Sequence, residues 1–327
     1  MWAVLPAFIF PLPTSLLAPA MAAISLASQA YGGINEALGN HVYSKFSEAG
    51  QPVAHMVPSK HGMVAAYSPA LAVAVAPFAF PAAREAPGVA LLASILGLHF
   101  FKRLLESPLL HRYSGRMALE SATAISLSYL ARTAFIVYTQ YLTMGTAPPP
   151  VDLKPTGVAL FVVGICGNLY HHVLLCRLRK KGEGLYKIPR GGLFGLVTCP
   201  HYLFEIMVFA GIACASQTVY SFCVMASTAF YLMGRSWATR KWYLSEEGQG
   251  PRTLCLLDGG EKPPLLSNKI TTFLVALNVT SLTNKSLSLS AYLLNELPTN
   301  LSLSLSRCLS VYLSLFLSRY GIVCESL

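Results

Sequence analysis

Seven stretches of this chain are so long and so apolar that a lipid bilayer is the natural place for them to fold. They run over 5–30, 63–82, 88–101, 119–143, 156–176, 193–214 and 217–234. A helix crossing the hydrocarbon core needs about 20 mostly apolar residues. The third stretch reaches that length by running past His99 toward Lys102, whose stem can carry its ammonium to the interface. The first is interrupted by Pro6, Pro11, Pro13 and Pro19 and lacks a basic leader, so it reads as an irregular first span rather than a cleaved signal peptide. Composition agrees: 54% of the 327 residues are hydrophobic and 12% charged, about half the charged share of a soluble domain. Mean hydropathy is +0.52. A soluble fold of this length would lack the polar surface to cover its core, and a disordered chain would be far less apolar. The expected fold class is all-α, a polytopic membrane protein with about seven transmembrane helices.

Charge placement tests that count. Seven spans put the loops 31–62, 102–118, 177–192 and the chain after 234 on one side. Lys102, Arg103, Arg112, Arg116, Arg177, Arg179, Lys180, Lys181, Lys187, Arg190, Arg235, Arg240 and Lys241 all fall there, whereas the opposite loops hold Arg84 and Lys154. The basic side is expected to face the cytosol. Residues 1–245 carry 18 Lys/Arg against 8 Asp/Glu, which gives the whole net charge of +10; residues 246–327 carry six of each. Composition changes at the same place, to runs such as Ser286-Leu287-Ser288-Leu289-Ser290. A strand alternates this way, and so does a translated CT dinucleotide repeat; we read the second, a retained intron or mis-spliced end. The eight cysteines form no CxxC pair and read as reduced, apolar thiols.

Polar groups at the mouths of spans are costly and so mark function. His99, Lys102, Arg103 and Glu106 share one helical face at i, i+3, i+4 and i+7, followed by His111-Arg112-Tyr113-Ser114. The plainer alternative is an interfacial ring with a Lys102/Glu106 pair. A second cluster is Asn168, His171, His172, Arg177 and Arg179; one His-His pair without an HxxHH box gives no metal site. The third runs Tyr186-Lys187-Ile188-Pro189-Arg190-Gly191-Gly192-Leu193-Phe194, then Cys199-Pro200-His201-Tyr202 and Glu205. Pro200 inside an apolar stretch would free backbone groups for a water-lined cavity. The basic Gly-Gly loop suits a phosphate-bearing ligand or simply anionic lipid. Neither a GxGxxG nor a Walker loop is present.

Together with Arg235 and Trp242-Tyr243-Leu244, these runs closely resemble the C-terminal domain of the steroid 5α-reductase superfamily over about 155–245. The block Lys102-Arg103-Leu104-Leu105-Glu106…His111-Arg112-Tyr113-Ser114 is most similar to the very-long-chain trans-2-enoyl-CoA reductases of that superfamily, and 31–69 resembles its plant members more weakly. The resemblance implies an endoplasmic reticulum reductase of lipid metabolism that takes NADPH from the cytosol, in company with other fatty-acid elongation enzymes and without nucleic acid. Asn168, Arg179, Tyr186, Lys187, His201, Glu205 and Tyr243 would line the NADPH pocket, with Arg103 and Arg235 as further cofactor-side cations. Tyr202 and Lys102 are the implied catalytic pair. Ala66-Tyr67 stands where steroid reductases place Gln-Glu, which favours a trans-2-enoyl-CoA over a 3-oxo-Δ4 steroid. The expected division is 1–154 for the N-terminal membrane helices, 155–245 for the NADPH-binding domain and 246–327 for the tail. An isoprenylcysteine carboxyl methyltransferase-like enzyme and an inactive truncated reductase are the alternatives.

Overall fold

The computed structural model describes residues 7–13, 16–38, 55–113, 115–178 and 188–247. Among them the helices are α1 (Leu17–Leu38), α2 (Ser59–Val75), the short α3 (Pro81–Glu85), α4 (Pro87–Leu109), α5 (Leu119–Tyr141), α6 (Lys154–Leu178), α7 (Pro200–Ser216) and α8 (Val219–Glu247). Each of the seven long helices falls on one expected apolar stretch, and the protein is an all-α membrane protein. Among the described residues, three segments are long and apolar enough to cross a membrane by themselves: Ser59–Ala79, Pro87–Leu109 and Lys154–Leu178.

Helix ends depart from the sequence reading for identifiable reasons. Among the described residues of the proline-rich start, 8–13 are not helical, and α1 begins at Leu17. The third stretch, read as ending at 101, continues to Leu109 because its polar residues face inward rather than into lipid. The sixth does not begin at 193. A 3-10 turn covers Gly192–Gly195 and α7 starts at Pro200, which occupies the first helical turn. There its missing N–H costs nothing, so no broken span arises. α8 runs to Glu247, and the rest of the tail, 248–327, lies outside the described residues.

The polarity of α4 is that of a membrane helix. Leu98, Phe101, Leu105 and Leu109 form an exposed stripe, while His99, Phe100 and Glu106 are buried. Lipid solvates the first set, and neighbouring helices must satisfy the second. The buried core joins Met21, Tyr67, Leu92, Leu96, Phe100, Ile136, Phe161, Val208, Ile212 and Val224. The closest helix pairings are α6 with α7, α1 with α8, and α2 with α4 and α5.

Two fastenings fix the ends of the bundle. At one end Met56–Pro58 (β1) pairs antiparallel with Arg116–Ala118 (β2), Met56 opposite Ala118, which ties the entrances of α2 and α5. At the other, Gln217 turns from α7 into α8 with φ 53°. Its amide donates to the carbonyls of Phe8 (2.7 Å) and Val151 (2.8 Å) and accepts from the Leu153 N–H (3.2 Å).

Candidate active site

The inward face of α4 builds a buried hub around Glu106. Lys102 Nζ lies 2.9 Å from Glu106 Oε1, Arg103 Nη1 3.2 Å from Oε2, and His172 Nδ1 on α6 3.1 Å from Oε1. The expected i, i+4 pair is present, but it is buried and shared with a second helix. Arg103 also donates to the Tyr67 hydroxyl at 2.7 Å. His111, just past the end of α4, stands 4.0 Å from Glu106. Burial, with His172 and Arg103 beside it, pushes the His111 imidazole down to about 3. Ligand atoms of Glu106, His111 and His172 lie within 4.8 Å of one another, close enough to suggest a metal centre. Lys102 and Arg103 already hold both carboxylate oxygens, and two cations at that range oppose a divalent ion.

Asn168 carries the network from α4 to α7. Its Oδ1 accepts from Lys102 Nζ, and its Nδ2 donates to the His201 carbonyl at 2.8 Å. His99 Nε2 faces Glu205 Oε1 at 3.6 Å. Three buried polar atoms here, Glu205 Oε2, His99 Nδ1 and His201 Nδ1, have no hydrogen-bond partner among the described residues. Buried polar atoms are rarely left so, and a polar ligand is one way to satisfy them.

His171 does something different from its neighbour His172. Its Nδ1 bonds the Gly167 carbonyl (2.7 Å) and its Nε2 accepts from the Leu193 N–H (3.2 Å). It therefore clasps the loop that precedes α7. That loop turns at Gly191 (φ 88°) and Gly192 (φ 52°), and a methyl on Gly192 would stand 2.9 Å from the His171 ring. Glycine is required there both by conformation and by space.

Tyr202 belongs to a second network. Arg235 Nε donates to its hydroxyl at 3.2 Å. Arg235 Nη1 also reaches Glu36 Oε1 on α1 (3.1 Å) and donates to the Tyr231 hydroxyl (3.3 Å). Tyr243 lies two turns further along α8, its ring beside Trp242.

Of the sequence-derived site residues, Lys102, Arg103, Asn168, His201 and Glu205 converge, and Tyr202 joins Arg235 beside them. Arg179, Tyr186 and Lys187 lie outside the described residues. Sequence reasoning missed Glu36 and did not count Tyr67 among the site residues. A lone acid inside an apolar helix is itself a functional signal, and Glu36 carried that signal.

Comparison with known proteins identifies the family. The family model described as 3-oxo-5-alpha-steroid 4-dehydrogenase matches residues 125–256. A steroid 5-alpha-reductase DET2 of Gossypium hirsutum is 46% identical over 90 residues, 28% of this chain and 35% of that protein. The 3-oxo-5-alpha-steroid 4-dehydrogenase 1 of Macaca fascicularis is 32% identical over 204 residues, 60% of this chain and 76% of that protein. A very-long-chain enoyl-CoA reductase of Dictyostelium discoideum is 33% identical over 149 residues, 44% and 47% of the two chains. With inward-facing polar clusters on helices of the expected order and a relative matched over three quarters of its length, the chain belongs to the 3-oxo-5-alpha-steroid 4-dehydrogenase, or steroid 5-alpha-reductase, family.

Proposed function

We propose that the protein is a membrane-embedded, NADPH-dependent reductase of a carbon–carbon double bond conjugated to a lipid carbonyl. The observation that carries this reading is the buried polar set on α4, α6 and α7, in which Glu205 Oε2, His99 Nδ1 and His201 Nδ1 await partners. A nicotinamide carboxamide brings an N–H donor and a carbonyl acceptor, which fits a carboxylate beside two imidazoles. Asn168, His201, Glu205 and Tyr243 would hold that end of the cofactor, with Arg103 and Arg235 as further cofactor-side cations. Arg179, Tyr186 and Lys187 remain proposed contacts for its phosphates and ribose. Family membership favours a reductase over the methyltransferase alternative.

Bound NADPH supplies the hydride. The chain's own residues manage the charge and the proton. As the β-carbon of the substrate is reduced, negative charge gathers on the carbonyl oxygen, and the Lys102–Arg103 pair with the Tyr67 hydroxyl supplies a cationic, hydrogen-bonding environment for it. Tyr202 gives its phenolic proton to the α-carbon, completing the saturated product. Arg235, bonded to the Tyr202 oxygen, stabilises the phenolate left behind.

A trans-2-enoyl thioester is the favoured substrate, since Lys102 to Glu106 is the block most similar to that branch of the family. A 3-oxo-Δ4 steroid is the second reading. It is supported by the 204-residue match to a 3-oxo-5-alpha-steroid 4-dehydrogenase, and the departure at Ala66-Tyr67 weighs against it. We further propose the endoplasmic reticulum membrane as its location, the basic end facing the cytosol, and the division at 154/155 and 245/246.

Membranes expressing the chain should oxidise NADPH with a long-chain trans-2-enoyl-CoA. Tyr202→Phe should cut turnover by about 100-fold or more while NADPH affinity stays within a few-fold. Full activity in that variant would remove Tyr202 as the acid, and preference for a steroid enone would select the second substrate.

A further inference from the structure

We propose that Glu36, on α1 and 199 positions from Arg235 in sequence, is a positioning residue that fixes the direction in which Tyr202 delivers its proton. The inference rests on the reductase reading above. Glu36 is buried, 2% exposed, and its Oε1 lies 3.1 Å from Arg235 Nη1. The same Nη1 donates to the Tyr231 hydroxyl, and Nε donates to Tyr202. A guanidinium is planar and rigid, so holding one end of it with a carboxylate and a phenol sets where Nε–H points.

The consequence for Tyr202 follows from donor and acceptor roles. Arginine has donors and no acceptor. The Tyr202 oxygen must therefore accept from Arg235, and the phenolic hydrogen is turned away from Arg235. A hydroxyl free to rotate would present its proton in several directions and deliver it slowly; one pinned through its oxygen presents it in a restricted set. Glu36 also neutralises the Arg235 charge, which otherwise sits buried beside the phenol. The contact depends on how closely α1 and α8 cross. Gly33 and Gly234 meet backbone to backbone, and a methyl on Gly234 would run into the Gly33 carbonyl. This crossing lies one turn from Glu36 and one residue from Arg235, which is what lets the short Glu36 side chain reach.

The test uses the full chain purified in detergent, with Glu36→Gln, Glu36→Asp and Tyr202→Phe. A second set carries 3-fluorotyrosine at position 202 and is observed by fluorine NMR without nucleotide. Glu36→Gln should lower kcat roughly 10-fold, leave KM for NADPH within about two-fold, and raise the solvent deuterium isotope effect on kcat. It should also move the fluorine resonance. Glu36→Asp, which keeps the charge, should restore part of kcat and bring the resonance back toward the wild-type position. If the Gln variant does not fold, the Asp variant alone must move the resonance and the isotope effect. A Glu36→Gln protein with wild-type isotope effect and an unmoved resonance, beside an inactive Tyr202→Phe, overturns this inference and leaves the reductase reading intact. A fully active Tyr202→Phe overturns both. If the wild-type chain has no turnover, the reductase reading falls, and an unmoved resonance then overturns the orienting role of Glu36 as well.

Discussion

Glu106 balances two cations and an imidazole from inside the bundle, and that makes it the residue whose loss should be felt most. Glu106→Gln leaves Lys102 and Arg103 without their shared counter-charge in a buried place. A loss on the order of 3 kcal/mol is expected, as for other buried pairs cut on one side, visible as a lower thermal midpoint in detergent; an unchanged midpoint would contradict the hub. His111 gives a pH prediction. Its folded pKa is near 3, against an ordinary value of about 6.5, so between those values the unfolded chain binds a proton that the folded chain refuses. The stability tied to neutral His111 is thus complete above about 6.5 and is lost as pH falls through that window. His111→Gln should flatten the fall in thermal midpoint between about pH 7 and 5; parallel curves for the two proteins would refute it. At this scale the sequence disclosed Lys102, Arg103 and Glu106, because helical spacing alone puts them on one face. It did not disclose Tyr67 or Glu36 as site residues, since each owes its role to a side chain on another helix.

At the scale of elements, the meeting of α1 with α8 carries the most testable consequence. Gly234→Ala puts a methyl into the Gly33 carbonyl and must push the helices apart. The expected result is a lower thermal midpoint together with loss of turnover, because the Glu36–Arg235 pair is stretched with it. An active, stable Gly234→Ala would show that the crossing can relax. Sequence reading located the long helices well, since each needs only an apolar run. Several ends differ from it, among them Leu17 and Leu38 of α1, Leu109 of α4, Pro200 of α7 and Glu247 of α8. Apolar runs mark what tolerates lipid, whereas helices begin and end where caps, prolines and partners allow. Pro200 is the instructive case: the apolar run around it predicts a break within a span, and it is instead the first residue of α7.

For the whole molecule, the two ends of the bundle differ in kind. One carries the β1–β2 pairing and the buried polar set; the other closes on Gln217 and the carbonyls of Phe8 and Val151. An epitope placed after Gly115, an exposed glycine with open space around it, should be reached by antibody in cells whose plasma membrane alone is permeabilised. One placed after Gly145, exposed and open at the opposite end, should be reached only after internal membranes are opened as well. The reverse pattern would invert the proposed orientation. What the sequence determined alone was the class of fold, the number of long helices and the helical face of α4. These depend on hydropathy and on the 3.6-residue period, both properties of contiguous chain. Only the tertiary structure decided that Asn168 joins Lys102 to the start of α7, that His171 and His172 part company, and that Glu36 reaches Tyr202 through Arg235. Those contacts join residues up to 199 positions apart, and their distances are set by how closely the helix backbones pack, a quantity no local pattern encodes.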